Sequence, residues 1–245
     1  SGLRRSTSTD GLDENCPALT DPLPVQVIIK ASNDQLNGVM TMQTVTVNEQ
    51  AVTPSKIVCV GRNYVAHIEE LGNEITADMV VFNKPNSAIT DILRSQMADE
   101  PLHYEGELAF MVNDGKLAAV GFGLDLTKRG LQSRLKEKGL PWERAKAFDG
   151  AALFSEFVAL PRDLSHLSLQ LEVDGELRQS GGVALMMYPP DAILRELNAF
   201  TSLEDGDIIM TGTPAGVGEI RTGQRFEGRV LDKYKQLVAA TWIAQ

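Results

Sequence analysis

The sequence predicts an α+β domain rich in strands with a few helices, on three observations. Residues 56–60, KIVCV, form an unbroken apolar run ending at Gly61, and residues 79–83 repeat that texture, as buried strands do. Residues 102–111, LHYEGELAFM, and 118–127, AAVGFGLDLT, alternate with a period of two around the hairpin signal Asn113-Asp114-Gly115-Lys116. Helical spacing is confined to residues 64–71, 129–138 and a stretch running to Phe200 that Pro189-Pro190 opens.

Composition narrows the function. A chain of 245 residues and 26.7 kDa suits one domain with a sizeable core plus an extension. Its net charge of −10 argues against a face built to neutralise phosphates, and so against a nucleic-acid partner. An acidic protein that handles an acidic small molecule needs local positive charge, from a metal or from a few Arg and Lys. Cys16 and Cys59 make no disulfide framework and no metal knuckle. No run reaches membrane-span length and no secretory signal is visible, so a cytoplasmic protein with no membrane partner is expected.

Taken in order, residues 1–41 lack sustained periodicity and are read as an N-terminal extension, a vector-derived leader or a tail, with a short strand at 25–29. The catalytic domain is then expected over 42–245. Residues 45–52 read as one short strand. In the helix at 64–71, stopped by Gly72 and Asn73, His67 and Glu70 lie three apart on one face. They are either an exposed surface pair or a base whose tautomer the carboxylate fixes.

On the strand at 102–111, Glu105 and Glu107 point the same way, with Ala109 and Met111 continuing their face. Two carboxylates at a core entrance repel each other unless a cation pairs with them, and a hard divalent ion with oxygen ligands is one remedy. A solvated acidic face is the other reading. Along 118–127, Val120, Phe122, Leu124 and Leu126 form the packed face and Gly121, Gly123 and Asp125 the other. Asp125, with room beside the glycines, is a third carboxylate or a cap of the next helix, a role open to Thr127 as well. In the helix at 129–138, Leu131 and Leu135 are expected inward. Residues 142–149 read as a loop or short turn carrying Lys146, a solvated lysine or one that faces a pocket. Strands are expected at 167–173 and 176–179 around Asp174-Gly175, at 207–210, and near 225–230 and 237–242, with Ile193, Leu194 and Leu197 facing inward from the helix after Pro189. TGTPAGVG at 211–218 has no P-loop Gly-Lys-Ser/Thr. It is a plain turn, or a loop that offers N–H groups and the Thr213 hydroxyl to an anion.

Five segments in register, GRNYVAHIEELG, HYEGELAFMV, GLDLTKRGLQ, GLPWERAKAFD and EDGDIIMTGTPAGVG, resemble the fumarylacetoacetate hydrolase family from Lys56 to the C-terminus. The likeness is to its short branch of acylpyruvate hydrolases, oxaloacetate decarboxylases or tautomerases, and homoprotocatechuate-pathway isomerase/decarboxylases. The resemblance implies a mixed β-rich roll of the fumarylacetoacetase C-terminal-domain type, usually a homodimer. It implies Mg²⁺ or Mn²⁺ on Glu105, Glu107 and Asp125, with Ca²⁺ as a substitute in crystals. It places a lid dyad on His67 and Glu70, an active-site lysine on Lys146, and oxo-acid contacts on Arg129, Gln132 and the Gly212-Thr213 loop. Arg62 is a further candidate, for a distal carboxylate. The implied activity is metal-assisted C–C cleavage of small 2-oxo acids of the acylpyruvate or fumarylpyruvate type. Oxaloacetate decarboxylation, tautomerisation or heptadiene-dioate isomerisation are the alternatives. A non-catalytic oxo-acid binder would not need His67, Glu70 and Lys146. His103-Tyr104 and Gly130 depart from the family's usual His-His and Asp. Lys146→Ala is expected to lower turnover while leaving the fold and metal affinity nearly intact.

Overall fold

The computed structural model describes residues 42–70 and 78–245. The extension at 1–41, the strand expected at 25–29, Cys16 and the helix stop at Gly72 and Asn73 lie outside the described residues. Residues 45–52 form two strands, β1 (Val45–Val47) and β2 (Gln50–Val52), and not one. Asn48 and Glu49 between them have φ of 44° and 65°, the mirror-image turn that suits strand twist. Without a glycine, the pair gives little turn signal in the sequence. The chain continues through β3 (Lys56–Gly61), α1 (Val65–Glu70), β4 (Val80–Pro85), β5 (Gly106–Asn113) and β6 (Lys116–Asp125). Then come α2 (Arg129–Glu137), α3 (Glu143–Lys146), β7 (Ala152–Phe154), β8 (Leu167–Val173) and β9 (Glu176–Gly182). It closes with α4 (Pro190–Phe200), β10 (Ile208–Met210), β11 (Arg225–Asp232) and β12 (Lys235–Ile243). No helix among the described residues is long and apolar enough to cross a membrane.

The larger sheet runs β7-β6-β5-β10-β3-β4, with a seventh short strand, Val158–Ala159, also on β6. It is mixed: β10 and β3 are parallel and the other neighbours antiparallel. The antiparallel sheet β9-β8-β11-β12 packs on one of its faces. There Leu108, Phe110, Phe122 and Leu124 meet Leu169, Leu171, Phe226 and Val230, all fully buried. α4 lays Ile193 and Leu197 over Val58, Val60 and Ile209, which point to the same side as Phe110. Pro190 at its start has the φ a helix needs and no amide to waste. In α2 Leu135 is buried as expected, while Leu131 is only partly so and Gln132 is buried in its stead. Residues 143–146 form the short helix α3 where a loop or turn is expected.

Two buried features join these layers. Asp207 accepts from Ser55 N, Ser55 Oγ, Lys56 N, Lys56 Nζ and Glu204 N, tying the start of β10 to β3. Gly228 on β11 lies against the Phe122 ring, so a Cβ there would overlap the ring carbons. Gly228→Ala is expected to cost about 1–3 kcal/mol through overpacking. A denaturant midpoint that falls with unchanged slope would register it, and an unaltered midpoint would show that the two sheets can separate freely there.

Candidate active site

Sheet register brings the acids together. Glu107 on β5 lies opposite Gly123 on β6, and Asp125 N–H donates to the Glu105 carbonyl at 2.9 Å. All three side chains therefore share the face that carries Ala109, Met111, Cys59 and Ile57. On β4, Phe82 and Lys84 pair with Cys59 and Ile57, which puts both on that face as well. Glu105, Glu107 and Asp125 are buried, each with an oxygen within 4.8 Å of the others. One expectation is corrected here. The glycine face of β6 leaves no open room: a Cβ at Gly123 would meet Met210 and Phe154 at 2.9–3.2 Å, and one at Gly121 would meet Ser155 and Phe157. The glycines admit a second apolar core, and the space beside Asp125 comes from the acids' mutual placement.

Three cations answer two of the three acids, Glu105 and Asp125. Lys146, 2% exposed, donates to Glu105 Oε2 at 2.8 Å, Asp125 Oδ2 at 2.7 Å and Thr127 Oγ1 at 2.6 Å. Lys84, fully buried, lies 2.8 Å from Asp125 Oδ1 and donates to the Lys146 carbonyl. Arg129 donates through Nη2 to Glu105 Oε1 and through Nη1 to Gln132 Oε1 at 2.8 Å. Burial alone would raise the Glu105 carboxyl, but Lys146, Arg129 and His67 outweigh it and hold it below the usual range. Glu107 has no such company: burial first, then Asp125 and Glu105, push its carboxyl well above the ordinary value. Burial pulls Lys146 down, yet Asp125 and Glu105 more than restore it, so it stays charged.

The donor set fits a divalent cation. Asp125 Oδ1 is buried and, despite the nearby ammonium, accepts no aligned hydrogen bond. Glu107, the acid with no cation in direct contact, is the one that a dication would deprotonate. Three carboxylates with no sulfur or imidazole among them suit Mg²⁺ or Mn²⁺.

A single pocket gathers all but one of the remaining residues singled out from the sequence: Arg62, His67, Arg129, Gln132, Lys146, Gly212 and Thr213 line it with the three acids, and Glu70 does not. His67 is 6% exposed, and its Nδ1 lies 3.2 Å from Glu70 Oε2. Burial lowers the imidazole below its ordinary value, partly offset by Glu105 and Glu70. Glu70 itself is exposed and accepts Gly216 N–H at 3.0 and 3.2 Å, which latches α1 to the glycine-rich loop. That loop's anion is one of the protein's own. Gly212 N–H donates to Glu107 Oε2 at 2.7 Å, at a φ of 92° where a Cβ would strike Val60 O and Asn63 Cβ at 2.9 Å. Thr213 Oγ1 donates to Gly106 O at 2.9 Å and accepts Gln179 Nε2 at 2.7 Å, so its hydroxyl is engaged within the protein. Arg62, at a φ of 57°, precedes Asn63, whose side chain donates to Thr211 O and Tyr188 O and accepts Tyr188 N–H. Gly130 is exposed, facing Arg134 and Glu100, and does not line the pocket. Sequence reasoning missed Lys84, Phe82, Lys136 and Trp142. The one available signal was period two: Lys84 follows Phe82 on the inward face of a strand.

The family model for the fumarylacetoacetate (FAA) hydrolase C-terminal domain matches residues 56–239. The chain is 36% identical over 199 residues to the oxaloacetate tautomerase YcgM of Escherichia coli, covering 72% of this chain and 90% of that protein. It is similar to a putative fumarylacetoacetate isomerase/hydrolase from Oleispira antarctica, with a TM-score of 0.78, 36% identity, and coverage of 83% of this chain and 100% of the other. It is also similar to the fumarylpyruvate hydrolase of Pseudomonas aeruginosa, solved in complex with Mn²⁺ and pyruvate. There the TM-score is 0.76 and the identity 27%, covering 86% of this chain and 100% of the other. With its β-rich curled sheet and a matched region of this extent, the chain is an enzyme of the fumarylacetoacetate hydrolase family.

Proposed function

We propose that this protein is a metal-dependent enzyme of small 2-oxo acids that cleaves a C–C bond in acylpyruvate-type substrates by hydrolysis. The observation that carries the reading is the trio of buried carboxylate oxygens within 4.8 Å in a pocket that also holds Lys146 and His67. Glu105, Glu107 and Asp125 would hold Mg²⁺ or Mn²⁺. That ion supplies Lewis-acid stabilisation of the negative charge that develops on the oxo-acid oxygens. Arg129, oriented by Gln132, binds the substrate carboxylate. Lys146 Nζ holds a proton beside the reacting carbons, within reach of the acids. His67, with Nδ1 turned to Glu70, is left with Nε2 to take a proton from water. Arg62 and the Gly212-Thr213 loop close the pocket. A homodimer, a catalytic domain from residue 42 and a cytoplasmic setting belong to the same reading.

A second reading, oxaloacetate tautomerisation or decarboxylation, is favoured by the likeness to the E. coli tautomerase. It uses the same pocket, with less call on a water-activating base.

The experiment is metal removal and return. Protein stripped with EDTA is expected to lose turnover of both acylpyruvates and oxaloacetate, and to regain it with Mn²⁺ or Mg²⁺. Metal at about a hundred times its Kd should add about 2.7 kcal/mol of stability. Affinity should rise with pH, because Glu107 must lose a proton to ligate. Turnover of neither substrate class in the metal-loaded protein would end the proposal, as would a full metal-induced stabilisation in Glu107→Gln.

A further inference from the structure

α2 presents Arg129, Gln132 and Lys136 to the pocket at i, i+3 and i+7, a single helical face. At 1.5 Å per residue, Lys136 stands about 10 Å along the axis from Arg129. Arg129 is paired at the acidic end, with Glu105. Lys136 is not: among the described residues no carboxylate lies within salt-bridge distance of it. Its ammonium instead sits 5.0 Å from the centroid of the Trp142 ring. Trp142 packs on Phe82 at 5.9 Å between centroids, and Lys146 Nζ lies 5.2 Å from the Phe82 centroid. One aromatic wall thus carries a lysine at each end, one above the acids and one at the far side.

We propose that Lys136 is a specificity-determining residue that contacts the second carboxylate of a 2-oxo dicarboxylate, with the oxo-acid end of that substrate held at the acids. The inference rests on the reading of the pocket as a 2-oxo-acid site and names the substrate class within it. A half-buried ammonium with guanidinium neighbours and no carboxylate in contact is costly until an anion arrives. The lysine's titration agrees: burial first, then Arg129 and Arg62, lower it to about 8 against the opposing charge of Glu105. A distal carboxylate would relieve both effects, and a substrate ending in a methyl group would relieve neither.

The test compares two ligands of equal chain length that differ in the distal group, 2-oxoglutarate and 2-oxopentanoate. Both are titrated into Mn²⁺-loaded wild type, Lys136→Gln and Lys136→Arg, alongside turnover of oxaloacetate and acetylpyruvate. Wild type is expected to favour the dicarboxylate by about tenfold or more in Kd. Lys136→Gln should remove most of that preference and raise KM for oxaloacetate about tenfold more than for acetylpyruvate, and Lys136→Arg should restore both. A wild type without the preference, or a preference intact in Lys136→Gln, overturns the proposal. If the preference is present and lost in Lys136→Gln while wild type turns over neither substrate, the contact stands and the assigned reaction falls. Turnover in wild type with a preference indifferent to Lys136 gives the reverse.

Discussion

Lys146→Met is expected to lower the stability of the metal-free protein by about 3–5 kcal/mol and to abolish most turnover, because it strands buried acids without their cation. The ammonium makes hydrogen bonds to Glu105, Asp125 and Thr127, all buried. This replaces the sequence-based expectation that removal of Lys146 spares the fold, which held only for a lysine at the pocket wall. With Lys146 gone, Lys84 still faces Asp125, but Glu105 keeps only Arg129. A divalent cation among the same carboxylates supplies the missing charge. Mn²⁺ should therefore recover much of the lost melting temperature, and should stabilise the variant more than it does wild type. Activity should not return with stability if Nζ, as proposed, is the group that holds the proton beside the substrate. Paired thermal melts and kcat measurements, with and without Mn²⁺, separate the two roles. A metal-free variant as stable as wild type would refute the electrostatic account, and activity that recovered in step with stability would reduce Lys146 to a structural cation.

The acids were legible in the sequence because a strand's period of two is rigid. Once Glu105 and Glu107 share a face and Asn113-Asp114-Gly115 turns the chain, β6 must return alongside and Asp125 must come near them. The hairpin geometry is borne out by the positive φ of Asp114 and Gly115. What fills the space around a residue was much less legible. The glycines beside Asp125 suggested a cavity, but Phe154, Phe157 and Met210 occupy it from segments that follow the hairpin. Lys84 was invisible as a site residue for a related reason. Its partner Asp125 is 41 positions away in sequence, and their meeting depends on β4 joining β3 at the far side of β10. Lys136 and Trp142 needed the angle at which α2 and α3 cross the pocket, which no local pattern encodes. The larger architecture, a mixed sheet with an antiparallel one packed upon it, was available only through the family resemblance. Periodicity gave the strands and said nothing of their order.

His67→Ala is expected to lower acylpyruvate hydrolysis by about a hundred- to ten-thousand-fold, the usual contribution of a general base, with a much smaller effect on oxaloacetate decarboxylation. Hydrolysis needs a water to be oriented and deprotonated. Decarboxylation breaks a C–C bond to release CO₂ and draws mainly on charge stabilisation at the acids. The pH profile adds a signed test. Burial lowers the His67 imidazole, so the ring is neutral and able to act as a base at neutral pH, and hydrolysis should fall only as pH drops below the ordinary imidazole range. Glu70 opposes that lowering through its charge and its hydrogen bond. Glu70→Gln should accordingly move the acid limb to still lower pH while it weakens the base. Glu70 also accepts Gly216 N–H, so Glu70→Ala releases the latch as well as the imidazole, and His67→Ala leaves the latch carboxylate in place. Measured on one preparation, equal losses of both reactions in His67→Ala would mean that the histidine helps to close the pocket and does not activate water. Selective loss of hydrolysis in His67→Ala, with broader loss in Glu70→Ala, assigns proton transfer to the ring and closure to the carboxylate.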